Sequence, residues 1–136
     1  MKDEANMREV CMLIGEGDVV LWSDASDSPV RLPDSRARWE AIWSRREALV
    51  EIAHSHPVGP LAFSREDETT MAALVSALGR PMRFSVVAPG GTVRTVFAPS
   101  VARVEEYETS LVESEPWWAS LLRLASGFTR KTPQEE

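Results

Sequence analysis

The string His54-Ser55-His56-Pro57, with Ser64 and Asp67 a short distance on, constrains this chain more than any other feature. Glu47 to His56 reads E-A-L-V-E-I-A-H-S-H, apolar and β-branched enough for a strand. Along a strand, residues i and i+2 face the same way, so the two imidazoles point to one side. Pro57 cannot donate to a ladder and closes the strand. The pattern predicts a helix over Ser64 to Leu78: Met71, Leu74, Val75 and Leu78 recur at helical spacing, and Gly79 followed by Pro81 stops it. Ser64 and Asp67 stand three apart at its start and share a face. A strand end and a helix start therefore deliver two imidazoles, a hydroxyl and a carboxylate within fourteen residues.

The chain has only two histidines, and both are in this string. Two histidines placed at random would fall at i and i+2 in about one case in seventy, so the pairing is informative. Two imidazoles and one carboxylate leave a fourth tetrahedral position for water, the pattern of a catalytic zinc. The bland reading makes the histidines ordinary strand residues and Ser64 an N-cap. Asp67 would then complete a capping box, with Glu66 favouring the helix dipole. The two readings of Ser64 are compatible, because a capping hydroxyl accepts a backbone N–H and still has its own proton to give.

This string resembles the signature of the JAB1/MPN/Mov34 metalloenzyme family, often called JAMM. The family pattern is an upstream Glu, then His-x-His-Pro, then seven residues after the second His, then Ser-x-x-Asp. Here the seven residues are Pro57 to Phe63, and Gly59-Pro60 among them is also typical. The family's Glu lies in a segment resembling E-V-x-G-L-L-x-G. The nearest counterpart is Glu9-Val10-Cys11-Met12-Leu13-Ile14-Gly15, with Met12 where the family has its internal glycine and Gly15 one residue early. Glu16 and Glu51 are fallback candidates for the same role. Family members usually carry a strand and a long helix before this Glu. Eight residues precede Glu9, so that helix is expected to be short or missing. The resemblance extends from about Arg8 to Pro99.

The resemblance implies zinc held by His54, His56 and Asp67, with Glu9 as general base and Ser64 assisting at the oxyanion. It implies hydrolysis of an amide or isopeptide bond at the C-terminus of a ubiquitin-like protein or, as in bacterial relatives, of a small sulfur-carrier protein. The compact chain lacks the insertions with which relatives grip a particular ubiquitin linkage, which points to a prokaryotic-type enzyme. The family fold is similar to that of cytidine deaminases, but their Pro-Cys-x-x-Cys motif is absent, which disfavours a nucleobase deaminase. Many family members are metal-free scaffolds, usually marked by loss of the histidines or the Asp. This chain keeps all three, so the non-catalytic scaffold or binding module is the alternative reading. No His-Glu-x-x-His, Gly-rich phosphate loop or G-x-S-x-G offers competing chemistry.

A length of 136 residues suits one domain, expected over residues 1–127 with a flexible tail over 128–136. The net charge of −6 argues against nucleic acid or an anionic membrane as partner, since both need basic patches. The single cysteine, Cys11, allows no internal disulfide and reads as a core residue in a reducing, cytoplasmic compartment. No apolar stretch is long enough to span a membrane, and the N-terminus lacks the apolar core of a signal peptide.

The remaining pattern alternates strands and helices. Val10 to Ile14 and Val19 to Trp22 read as strands around the turn Gly15-Glu16-Gly17-Asp18, and Ser23 to Asp34 as a loop. Ser35 to Arg46 reads as a helix with Trp39, Ile42 and Trp43 on one face and Arg45-Arg46 at a solvated end. Arg83 to Val87 and Thr92 to Phe97 form a strand pair around Pro89-Gly90-Gly91, and Val101 to Tyr107 is a further strand candidate. Pro116 at the first helical position opens a last helix to Ser126. Its Trp117 and Trp118 point to different faces and, with Leu121, Leu122 and Leu124, make an apolar surface wider than one stripe. That surface either packs in the core or serves a partner or a homo-oligomer. Strands mixed with helices, including a hairpin, predict an α+β sandwich: a mixed, partly antiparallel sheet flanked by helices.

Overall fold

The computed structural model describes residues 6–98 and 107–131. Among them a six-stranded mixed sheet runs in the order β2-β1-β3-β4-β5-β6. The strands are β1 (Val10–Gly15), β2 (Val19–Ala25), β3 (Leu49–Ser55), β4 (Met82–Ala88), β5 (Gly91–Phe97) and β6 (Ser110–Leu111). The helices are α1 (Arg36–Ser44), α2 (Arg65–Leu78) and α3 (Trp117–Ser126). β3 and β4 are parallel and every other pairing is antiparallel. A parallel pair cannot be joined by a tight turn. α2 makes that crossover, and so the end of β3 and the start of α2 belong to one connection.

Helices cover both faces, which explains the unbroken apolar run of β1. Cys11 and Leu13 pack with Ala41 and Ile42 of α1 and with Met71, Leu74 and Val75 of α2. Val10, Met12 and Ile14 pack on the opposite face with Trp118, Ala119 and Leu122 of α3. A strand buried on both faces has no reason to alternate apolar with polar residues. The predicted α+β sandwich with a mixed sheet is the observed fold.

Some expectations change in detail: β2 runs on to Ala25, three residues into the loop expected over Ser23 to Asp34, because its pairing with β1 continues to Val10. Trp43 shares a face with Ile42 by spacing but is 54% exposed, because α1 ends one residue later; the Arg46 guanidinium stacks 4.2 Å above its ring. Pro116 has ψ 159° and caps α3 from outside, accepting Ala119 N–H at 3.0 Å, so the helix starts at Trp117. The chain also stays packed past Gly127. Phe128 is buried and its N–H bonds the Arg123 carbonyl, while Lys131 N–H bonds the Pro89 carbonyl at 2.7 Å. The last five residues of the expected tail, 132–136, and residues 101–106 of the strand candidate lie outside the described residues; Tyr107 is not in a strand. The two-residue β6 is too short for the pattern to announce.

The wide apolar surface of α3 divides into a buried face and an exposed one. Trp118 and Leu122 are fully buried, whereas Trp117 and Leu124 are mostly exposed. Both indoles reach the β1–β2 turn: Trp118 Nε1–H donates to Asp18 Oδ1 and Trp117 Nε1–H to the Asp18 carbonyl, each at 2.9 Å. No described helix is long and apolar enough to cross a membrane.

Candidate metal centre

His54 ends the site-facing row of β3, and His56 follows one residue past the strand. His56 N–H still bonds the Val87 carbonyl at 2.9 Å, so the extended course continues and the two rings turn to the same side. Their Nε2 atoms are 3.1 Å apart. The chain then turns sharply at Gly59, whose φ of 76° suits glycine, and Gly59 N–H closes onto the His56 carbonyl at 2.9 Å. That turn returns the Pro60 carbonyl to His56 Nδ1, at 2.9 Å. A carbonyl only accepts, so Nδ1 carries a proton and Nε2 is the atom free to act as a ligand.

α2 supplies the carboxylate. Ser64 caps the helix: its Oγ accepts Asp67 N–H at 3.0 Å, and Asp67 Oδ2 accepts Ser64 N–H at 2.7 Å. The expected capping box is present, and it locks the Asp67 rotamer. Asp67 Oδ1 stands 3.1 Å from His54 Nε2, and Oδ2 stands 3.3 Å from His56 Nε2. β1 supplies the fourth group. Glu9, just before the strand, is 6% exposed, and its carboxylate joins the two imidazoles within a 4.8 Å cluster of ligand atoms. Ser26 N–H donates to the Glu9 carbonyl and Glu9 N–H to the Ser28 carbonyl, fixing this residue's backbone from the loop after β2.

The charges are mutually adjusted. Burial pushes Asp67 upward, but the His54 charge and hydrogen bonds from His54, His56 and Ser64 N–H outweigh it and hold the carboxyl far below the ordinary carboxylate range. Burial pushes His56 down, yet its bonds to Asp67 and Pro60 and the charges of Asp67 and Glu9 win, and its pKa is raised. Burial also raises Glu9; the charges of His54 and His56 oppose this without cancelling it.

That donor set fits zinc. Ligands bound at zinc's usual lengths in a tetrahedron stand about 3.3 Å from one another. The two Nε2 atoms are 3.1 Å apart, His54 Nε2 is 3.1 Å from Asp67 Oδ1 and His56 Nε2 is 3.3 Å from Asp67 Oδ2, while Glu9 offers the same imidazoles a second carboxylate within 4.8 Å. The group opens into a cleft of about 510 Å³ whose walls include Val30, Leu32, Trp39 and Phe63. The structure thus brings together all five residues singled out by sequence: Glu9, His54, His56, Ser64 and Asp67. The fallback glutamates are elsewhere. Glu16 is exposed on the β1–β2 turn. Glu51 points to the opposite sheet face, fully buried between Arg83 and Arg94. Sequence reasoning gave no role to the carbonyl of Pro60; Gly59-Pro60 was its only trace, since a carbonyl leaves no mark on residue type.

A six-stranded mixed sheet with this cluster at the β3–α2 connection defines a domain able to hold a metal beside a buried glutamate. A family model described as prokaryotic homologs of the JAB domain matches residues 3–108. The chain belongs to that family, which includes metallopeptidases and whose members carry either a JAMM-type site or the same fold as a scaffold. No curated protein matches the chain.

Proposed function

We propose that this chain is a zinc-dependent metalloprotease or isopeptidase. It would hydrolyse an amide or isopeptide bond at the C-terminus of a ubiquitin-like or sulfur-carrier protein. The observation that carries this reading is the convergence of both imidazole Nε2 atoms, the Asp67 carboxylate and the Glu9 carboxylate on one open cleft. His54, His56 and Asp67 would hold the zinc. When bound, zinc supplies acidification of water and polarisation of the scissile carbonyl. Glu9 takes the proton of the attacking water on its carboxylate and delivers it to the leaving amine. Its burial suits that work, because a raised pKa makes a carboxylate a better proton acceptor. Ser64 Oγ uses a lone pair on Asp67 N–H and keeps its hydroxyl proton for the developing oxyanion.

Recognition follows from the walls. Among the described residues β2 is an edge strand, and the loop after it runs along Glu9 before forming the cleft wall at Val30 and Leu32. An extended C-terminal tail suits strand addition on that side. The net charge of −6 favours a protein partner over nucleic acid or an anionic membrane, and Cys11, buried and unpaired, suits a reducing compartment such as the cytoplasm.

The test is a fusion of a ubiquitin-like carrier to an arbitrary peptide. It should be cut directly after the carrier's C-terminal glycine, and only with zinc present. A free peptide carrying the same last residues should be a poor substrate. Equal cleavage of both would replace the carrier-specific reading with a general peptidase. No cleavage of any carrier by the zinc-loaded chain would leave the scaffold reading.

A further inference from the structure

α3 lies wholly beyond the stretch matched by the family, residues 3–108. It nevertheless reaches the backbone on both sides of Glu9. Arg8 N–H donates to the Ser126 carbonyl, and Arg8 Nε–H to the Ala125 carbonyl, each at 3.0 Å. On the other side, Val10 N–H donates to Ser55 Oγ at 2.9 Å. Ser55 sits between the two histidines but points to the opposite face of the sheet, where it is fully buried. Its Oγ is 2.7 Å from Ser126 Oγ, which is in turn 2.6 Å from the Leu122 carbonyl.

Counting protons fixes the direction of this chain of bonds. The Leu122 carbonyl has no proton, so the single Ser126 hydroxyl proton goes to it. Ser126 Oγ must then accept from Ser55, and Ser55 Oγ accepts from Val10 N–H. Each hydroxyl donates once and accepts once along one line from β1 through β3 into α3. Such a line strengthens each member by polarising the next. The end of α3 is shaped to allow the contact. Gly127 has φ 88°, and a Cβ there would stand 2.8 Å from the Asn6 carbonyl oxygen.

We propose that Ser55 and Ser126 are positioning residues for Glu9, so that the C-terminal helix completes the reaction site from outside the family-matched stretch. This rests on the reading above that Glu9 moves the proton. Loss of the clamp would release Val10 and leave Glu9 held only by its bonds to Ser26 and Ser28 and by those of Arg8 to α3, so that its carboxylate shifts relative to the imidazoles while the three proposed zinc donors stay in place. A misplacement of about 1 Å in a reacting group is enough to lower a rate by about a hundredfold.

The experiment compares Ser126→Ala and Ser55→Ala with the wild-type holoprotein, well below their unfolding midpoints. In each variant, Val10 amide exchange should speed up, kcat should fall at least about tenfold, and KM and zinc affinity should each stay within about threefold. Ser126→Ala in a Glu9→Gln background should leave the residual rate unchanged, because a residue acting through Glu9 has nothing left to act on. Unchanged kcat despite faster Val10 exchange, or an equal loss with and without Glu9, would overturn the proposal. A wild-type chain that binds zinc and hydrolyses nothing would instead sink the enzymatic reading. Val10 exchange would then decide the clamp by itself, and unaltered exchange in both serine variants would overturn it.

Discussion

His56 Nδ1 stands 2.9 Å from the Pro60 carbonyl, on the far side of the ring from the Nε2 that faces His54. One hydrogen bond therefore sets both the protonation and the aim of the second imidazole. It depends on a turn of the chain at Gly59, between the two partners in sequence. The loop from Pro57 to Phe63 is thus part of the candidate metal centre through its backbone.

Gly59→Ala tests that link. The added Cβ meets nothing within 4 Å, so only the left-handed backbone resists it. A non-glycine residue there costs about 1–2 kcal/mol, and relief of that strain would swing the Pro60 carbonyl away. Loss of an outer partner of a ligating histidine lowers metal affinity by about 10–100-fold. Chelator competition should find that loss in the variant; wild-type affinity would show that the carbonyl contact is dispensable.

Ser64 and Asp67 share a capping box but should separate on substitution. Asp67→Asn removes the charge of the proposed third ligand and should weaken zinc binding. Ser64→Ala removes the cap, costing about 1 kcal/mol of stability, and should lower kcat while zinc stays bound. Urea unfolding, zinc titration and turnover on the two variants check this. A Ser64→Ala protein with full kcat would restrict the serine to its capping role.

Away from the site, Glu115 controls an acid-sensitive part of the stability. Burial raises its pKa, but hydrogen bonds from Arg123 and Thr92 and the charges of Arg123 and Arg130 outweigh this and bring it below the ordinary 4.5. A lowered folded value means that the unfolded chain takes up protons first. The stabilisation is therefore complete above the unfolded value and is lost as pH falls through the folded one. Glu115→Gln should be less stable at neutral pH, since Arg123 is buried, and its stability should fall less steeply below about pH 5. Urea midpoints across that range give the result; parallel acid slopes in both proteins would contradict it.

The adjacent tryptophans of α3 should behave as opposites. Trp118 is fully buried, and Trp118→Ala should cost about 3–5 kcal/mol. Trp117 is 59% exposed, and Trp117→Ala should cost about 1 kcal/mol or less, mostly through its bond to the Asp18 carbonyl. Denaturant midpoints of the pair decide, and equal losses would contradict the division of the helix into a buried and an open face.

Much of this centre was legible because its signals are local. The i,i+2 histidines at the end of β3, the proline that follows them and the cap pair opening α2 each follow from spacing over a few adjacent residues. Glu9 was harder, since its segment matches the family pattern loosely; the placement comes from β1 lying beside β3, which no spacing encodes. Trp117 and Trp118 could not be separated by composition, because burial depends on where α3 meets β1. Ser55 and Ser126 are 71 residues apart and read individually as small polar residues. Contacts of that range exist only after folding.

The most direct test of the central claim is zinc content and hydrolysis measured together on wild type, Glu9→Gln and the His54→Ala, His56→Ala double variant. Wild type should hold about one zinc per chain, as a single tetrahedral site requires. Glu9→Gln should hold the same zinc with carrier cleavage reduced by about 10²-fold or more, because a proton acceptor is lost and no ligand is. The double variant should lose both. Equal zinc in the double variant, or full cleavage by Glu9→Gln, would contradict the account.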